Sequence, residues 1–508
     1  MSIDYAGSVA LTGWIRAGRT AALALVVAGL LAADAWTDAW AEQTVRLGET
    51  VLVDKGLVGV GRMPGSLRDK FGETFGSASG MALDRTSWTR ADDGYRGTLY
   101  LLPDRGYNLA GTTDYQPRIN RLSVLLRPPA DPSGMPQETR QHTLETTLAD
   151  TILLTDAAGA PMTSLDPAEG GVRPAAGGFP PLPQASNGRI SLDAEGLARL
   201  PDGSFLVSDE YGPYIYRFSA EGRMLSATRP PDAFIPRRHG RDHFSSDNPG
   251  PGAARPVPPV PDSGRHNNQG FEGLSLTPDG KFLLVALQSA TRQDSGETPD
   301  SRGNTRLLVY DVSDLDNLRL VREHVVPLPS YATANGGRRI AAQSELLALD
   351  DAHFLLICRD GQGGFAMPEP ASIYRNIVLV DVSAATNIAD TDYDRALPVA
   401  PNGVLAAGIV PARLVPFIDI NDNDQLGRFG LHNGMPKNAD DLPEKWESLA
   451  LVPALDPAHP HDFFLFVGGD NDFITQDGFQ AGIAYKDPSG VDVDTMFLVY
   501  RIGVPGLR

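Results

Sequence analysis

Short apolar strands alternate with polar turns along most of the chain, and one arrangement of them recurs five times. The copies are SASGMALD followed by GTLYLLPDRG, DAEGLARLPDGSFLVSDE, FEGLSLTPDGKFLLVALQ, SELLALDDAHFLLICRD, and WESLALVPAL followed by DFFLFVGGDND. Each reads as an alternating strand, a turn, and a second strand that is apolar throughout and ends in a polar or charged residue. Four copies open with a carboxylate: Glu195, Glu272, Glu345 and Glu447. The first has Ser79 there. Successive Glu residues lie 77, 73 and 102 positions apart. Repeated all-β units at irregular spacing of this size predict the blades of a β-propeller with long insertions. The chain is therefore expected to be all-β, one propeller over residues 42–508, with six blades, one of them written too irregularly to recognise. The C-terminal strand in TMFLVYRIG is expected to pair with an N-terminal strand near Val45 to Val53. That pairing closes the ring and removes exposed sheet edges.

Two segments interrupt the strands. Residues 156–190 are rich in Pro, Gly and Ala, and residues 229–265 are Pro-rich. Both are expected outside the blade cores. The second carries Arg237, Arg238, His239, Arg241 and His243. It is either a solvated loop or a lid that brings anion-binding side chains over the channel.

A propeller gathers equivalent positions of every blade around one channel, so the opening acids predict a ring of carboxylates. Two roles are open for them. They staple neighbouring blades by accepting hydrogen bonds, or they form a functional ring. Carboxylates that face one another need a cation, a guanidinium or a shared proton. Ligation by oxygen alone favours a hard ion, and Ca²⁺ is the expected cofactor. Glu195, Glu272, Glu345, Glu447 and Asp470 are the candidate ligands. A second polar set ends the apolar strands: Asp104-Arg105, Asp209-Glu210, Gln288, Arg359-Asp360 and Asp470-Asn471-Asp472. Arg105 and Arg359 are suited to pairing with acids or to holding an anionic substrate in a bidentate grip. DINDNDQLG from Asp419 has acids or amides at the first, third and fifth places of a calcium loop. It lacks the Gly at the sixth and the Glu at the twelfth. No nucleophile elbow, HExxH or phosphate-cradling loop is present.

Composition narrows the picture. The 508 residues carry 63 Asp and Glu against 44 Lys and Arg, a net charge of −19. A basic face for nucleic acid is not expected. The single cysteine, Cys358, sits in an apolar strand and reads as a small buried hydrophobe without disulfide or thiolate chemistry. Arg16 and Arg19 precede an apolar run from Ala21 to Ala33, and Ala39-Trp40-Ala41 follows. This is the pattern of a signal peptide over residues 1–41, with cleavage before Glu42. The run is shorter than the roughly 20 residues of a membrane-spanning helix. The mature protein is expected to be periplasmic or secreted, monomeric, and without a membrane span.

With these residues in view, the chain resembles the phytase-like family, described by its esterase-like activity of phytase. The likeness rests on SGMALD with LLPDRGYN, DAEGLARLPDGSFLVSDEYGPYIYRFSAEGRML, NNQGFEGLSLTPDGKFLLVALQ, SELLALDDAHFLLICRD, and PEKWESLALVPAL with FVGGDNDF. It covers roughly residues 50–503. The chain departs from the pattern at Cys358-Arg359-Asp360, where Glu is expected, and at Glu447-Ser448, where Glu-Gly is expected. The resemblance implies an exported propeller that hydrolyses phosphoesters or other esters. The resemblance carries over no catalytic residue; from the opening acids and polar strand ends of the repeat, Glu195, Glu272, Asp209 and Arg105 are the catalytic candidates. Arg105, Arg359, Asn268 and Arg238 are the substrate-binding candidates, and the substrate is a small phosphoester or ester. The alternative is a non-catalytic exported propeller that binds a ligand or a protein partner.

Overall fold

The repeated hairpins become the inner halves of five antiparallel blades. In the computed structural model the described residues are 42–507, apart from 168–170, 334 and 369–370. The leader pattern of residues 1–41 lies outside them. The blades open with inner strands Gly80–Leu83, Ala194–Arg199, Phe271–Leu276, Ala342–Ala348 and Lys445–Pro453. Each pairs with the apolar strand that follows it, and two further strands complete the sheet. Successive inner strands touch one another, and the last touches the first, so they enclose a central channel.

The apolar strands are apolar on both faces because each blade is sandwiched between two others. In Asp462–Asp470, Phe464 and Phe466 pack toward the first blade, while Leu465 and Val467 pack toward the fourth. In Phe282–Leu287, Leu283 and Val285 join the core shared with the second blade. Leu284 and Ala286 join the core shared with the fourth. Cys358 is fully buried in that last core, and burial pushes its thiol pKa up.

Ring closure follows the expected route. Thr495–Gly503 pairs antiparallel with Thr50–Met63, with Val60 opposite Leu498 and Met63 opposite Thr495. Gln43–Leu47 adds a fifth, outer strand to that blade. The expected count of six is corrected to five among the described residues. Residues 397–430 do not form a further blade. Instead Arg413–Asp419 is the outer strand of the fourth blade, paired with Arg375–Asp381 across a long loop. The acids of the DINDNDQLG stretch cap a short helix: the Asp422 side chain accepts from the backbone N–H groups of Asp424 and Gln425. The two insertions do lie outside the blades, and apart from short two-stranded ribbons they are irregular.

Inner strands of neighbouring blades approach closely enough to dictate residue size. A Cβ on Gly196 would sit 2.7 Å from the Glu272 carbonyl oxygen of the next blade. One on Gly273 would sit 2.4 Å from the Leu346 nitrogen. These contacts explain why Gly follows the acid in two copies of the repeat. Gly196→Ala is expected to lose about 1–3 kcal/mol in urea unfolding, as overpacked interiors do. Gly427→Ala, in a helix where the added methyl meets nothing within 4 Å, should gain about 0.5–1 kcal/mol. Equal midpoints for both variants would contradict this account of blade spacing.

Candidate active site at the acidic mouth of the channel

The hairpin brings both polar sets of the repeat to one mouth. Antiparallel pairing sets Ala194 opposite Asp209, Phe271 opposite Leu287, Ala342 opposite Arg359 and Lys445 opposite Asp470. The residue that opens an inner strand therefore meets the residue that ends its neighbour. The other end of the channel is an apolar cavity of ≈ 270 Å³, walled by Met81, Leu197, Leu274, Leu346 and Leu449.

A register shift marks the start of four inner strands. Glu195, Glu272 and Glu447 each fall inside it, whereas in the fourth blade the skipped residue is Ser344. An unpaired residue of this kind can be re-aimed out of the ladder. Glu345 is back in register opposite Ile357. Its Oε1 accepts from the backbone nitrogens of Leu346 at 2.8 Å and of Leu274 in the third blade at 3.0 Å. Glu345 thus takes the stapling role, and the position equivalent to Glu195, Glu272 and Glu447 is Ser344. The ring is three Glu and two Ser, the other being Ser79.

Around the mouth the carboxylates fall into two groups. Asp193, Glu195 and Glu210 are all buried, and one oxygen of each lies within 4.8 Å of the others. Arg105 Nη1 donates to Asp193 Oδ2 at 2.9 Å and also to Asn268 Oδ1. Glu210 Oε1 accepts from Gly270 N at 3.2 Å. Asp193 Oδ1 is buried without a partner. Glu195 is only 7% exposed, yet its carboxylate has no hydrogen bond or ion pair among the described residues. Asp104, Asp470 and Asp472 form the second group. Lys445 Nζ binds Asp472 at 2.6 Å, and Ser79 Oγ donates to Asp470 at 2.9 Å. Between the groups, Gln288 donates to Glu272 and Arg359 to Glu447.

Burial and like charge dominate the protonation of this mouth. Burial, then Glu272, Asp193, Glu210 and Glu447, push the Glu195 pKa far above the ordinary carboxylate range. Glu272 and Asp470 are raised strongly as well, first by burial and then by neighbouring acids. Asp104 and Asp193 rise to about 7, mainly through burial. Glu447 is the exception. Burial pushes it up, but Lys445 and Arg359 overcome this and hold it at about 2.

A sequence model of the phytase-like family, described as esterase-like activity of phytase, matches residues 73–473. The chain belongs to the phytase-like family. This phytase-like chain is also 40% identical over 469 residues to a protein of Arthroderma benhamiae called an uncharacterized secreted protein. The match covers 84% of this chain and 88% of that one. Among solved structures it is similar to a luciferin-regenerating enzyme at 10% identity and TM-score 0.27, covering 85% of this chain and 94% of the other. It is similar to a PQQ-bound aldose sugar dehydrogenase of Streptomyces coelicolor at 11% identity and TM-score 0.25, covering 90% and 92%. Those two structural likenesses carry no argument about its chemistry.

The remaining candidates of the phytase-like chain have structural partners. Asp209 accepts from Asp193 N at 3.1 Å and from Tyr211 N and Gly212 N at 2.9 Å each, so it shapes the turn that presents Glu210. Arg238 is buried inside its insertion. It donates to the carbonyls of Pro258 and Pro259 and to Asn267 Oδ1. Arg237 pairs with Asp232 and Asp242. Most of the positive cluster therefore holds its own insertion together. Asp193 and Lys445 are the site residues that the repeat did not single out. Each stands within two residues before an acid of the ring, where a signal was available.

Acids with raised pKa values stay neutral, and so stabilise the fold, below the unfolded carboxylate pKa. That stability is lost as pH rises through their folded values. In chelator, the melting temperature should fall as pH rises from about 5 toward about 7, the folded value of Asp193 and Asp104, beyond which these two acids add no further loss. Calcium added at about pH 8 should raise it more than at about pH 5, because ion and proton compete for the same oxygens. Glu195→Gln should raise the melting temperature in chelator and shrink the calcium shift. A calcium shift equal at both pH values, or unchanged in Glu195→Gln, would contradict a cation site at Glu195.

Proposed function

We propose that this phytase-like protein is an exported hydrolase that cleaves phosphoesters at the acidic mouth, with a divalent cation held by Asp193, Glu195 and Glu210. The observation that carries this reading is Glu195, a buried carboxylate among like charges with no partner of its own. The free Oδ1 of Asp193 supports it. An all-oxygen donor set suits calcium. When bound, such an ion would neutralise phosphate charge and acidify a water.

The chain's own groups have roles that follow from their surroundings. Arg105 orients Asp193 and compensates its charge. Glu272, fixed by Gln288, is the group to accept a proton from the attacking water, a role open to it only in its ionised form. Asp470 keeps its proton beside ionised Glu447 and is the group to protonate the departing alcohol oxygen. Water adds to phosphorus and gives one proton to Glu272, the bond from phosphorus to the alcohol oxygen breaks, and that oxygen takes the proton of Asp470.

Export is supported by the leader pattern at residues 1–41 and by the description of the fungal relative as secreted. Exported material should begin at Glu42 on N-terminal sequencing. A chain that retains Trp14 would overturn this.

The test of activity is hydrolysis of p-nitrophenyl phosphate and p-nitrophenyl acetate with calcium or with chelator. Calcium-dependent turnover of the phosphoester is expected. Glu272→Gln should lower kcat by about 10²–10⁴-fold, the range for a positioned acid or base. No turnover of either ester at any cation concentration would favour the non-catalytic binding propeller.

A further inference from the structure

The mouth has a positive side as well as a negative one. Between the third and fourth blades lies a pocket of ≈ 260 Å³ whose wall includes Gln288, Arg302, Tyr331, Arg339 and Arg359. Gln288 and Arg359 are the partners of Glu272 and Glu447, so this pocket shares its wall with the ring of acids. Arg302 and Arg339 differ from the arginines already described. Arg302 is half-buried and donates Nη1 to the neutral oxygen of Gln269 at 3.1 Å, while its Nε is buried without a partner. Its ionised form is disfavoured first by burial and then by the nearby Arg292. No carboxylate pairs with it among the described residues. Arg339 is exposed on a small hairpin, opposite Tyr331 in the ladder. Its guanidinium has no hydrogen bond or ion pair among the described residues.

The acid in the pocket wall does not supply the missing charge. Asp360 faces its own blade, where it accepts from Ser372 Oγ at 2.7 Å and from the backbone nitrogens of Ile373 at 2.6 Å and Tyr374 at 3.1 Å. Two guanidinium groups therefore line one cavity, neither ion-paired among the described residues, while its one acid is committed to its own blade, in a chain of net charge −19. The four expected binding residues, Arg105, Arg359, Asn268 and Arg238, all have partners within the protein.

The geometry points to an oxyanion site in this pocket, in which Arg302 and Arg339 grip the phosphoryl group of the substrate beside the acids. Planar guanidinium forks match tetrahedral oxyanions and keep their charge when partly buried. The use of the site in catalysis rests on the hydrolase reading above. Its capacity to bind an anion does not.

Inorganic phosphate is the probe, titrated calorimetrically into the mature chain without divalent cation. Wild type should bind it. Arg302→Gln and Arg339→Gln should each weaken binding by about tenfold, the loss expected for one charged hydrogen-bonding partner. Arg241→Gln, an exposed arginine of the insertion, should leave it unchanged. Arg339 is exposed, so its variant should melt as wild type does, which separates loss of binding from loss of fold. With p-nitrophenyl phosphate, both variants should raise KM more than they lower kcat. With p-nitrophenyl acetate, KM should stay as in wild type. Phosphate affinity within about twofold of wild type in both variants, or no phosphate binding by wild type, would overturn the proposal. Phosphate held through these arginines by a protein that cleaves no ester would refute the hydrolase reading and leave the anion site standing.

Discussion

Carboxylates crowded at one end of a closed channel, with too few cations to match them, are the constraint on which the rest of this protein turns. Asp193, Glu195, Glu210 and Glu272 share a buried neighbourhood with Asp104, Glu447 and Asp470, while Arg105, Lys445 and Arg359 supply the positive charge. Removing one such charge from water is unfavourable, and setting several together adds repulsion. The cation-free mouth is relieved by protonation, which is why burial holds Asp104 and Asp193 near 7. An ion would relieve it without protons. Glu195 stands at the centre of this balance because nothing else in the described chain pairs with it.

The fold can hold that arrangement because its stability comes from elsewhere. Each apolar strand is buried on both faces between neighbouring blades, so the five inter-blade cores close on one another around the ring. The pairing of Thr50–Met63 with Thr495–Gly503 seals the circle. A closed ring fixes the inner strands, and the register shifts at their starts point the acids where a regular ladder would not. Rigid surroundings let like charges persist in contact instead of relaxing apart.

Much of this was legible in the order of residues. Alternation, the apolar second strands and the repeated opening acid revealed the blade hairpin, the propeller and its closing strand. The blade count was not legible, because 31 residues separate Asp381 from Arg413 within one blade, and so long an interruption reads as another unit. The ring was legible in Glu195, Glu272 and Glu447 but not in the fourth blade. There SEL looks like the same motif, yet Glu345 is one place out of register and Ser344 takes the ring position. Spacing alone cannot show a one-residue shift of this kind. Arg302 and Arg339 lie in connections that the repeat does not phase, and only the assembled ring brings them to the acids.

The central claim is that Asp193, Glu195 and Glu210 bind a hard cation. It is tested most directly by an anomalous difference map from crystals of the mature protein soaked in a terbium salt, since terbium takes the oxygen ligands that calcium does. The account predicts a peak enclosed by those three carboxylates, lost in Glu195→Gln. A mouth without a peak, or one bound only by Asp104, Asp470 and Asp472, would contradict it.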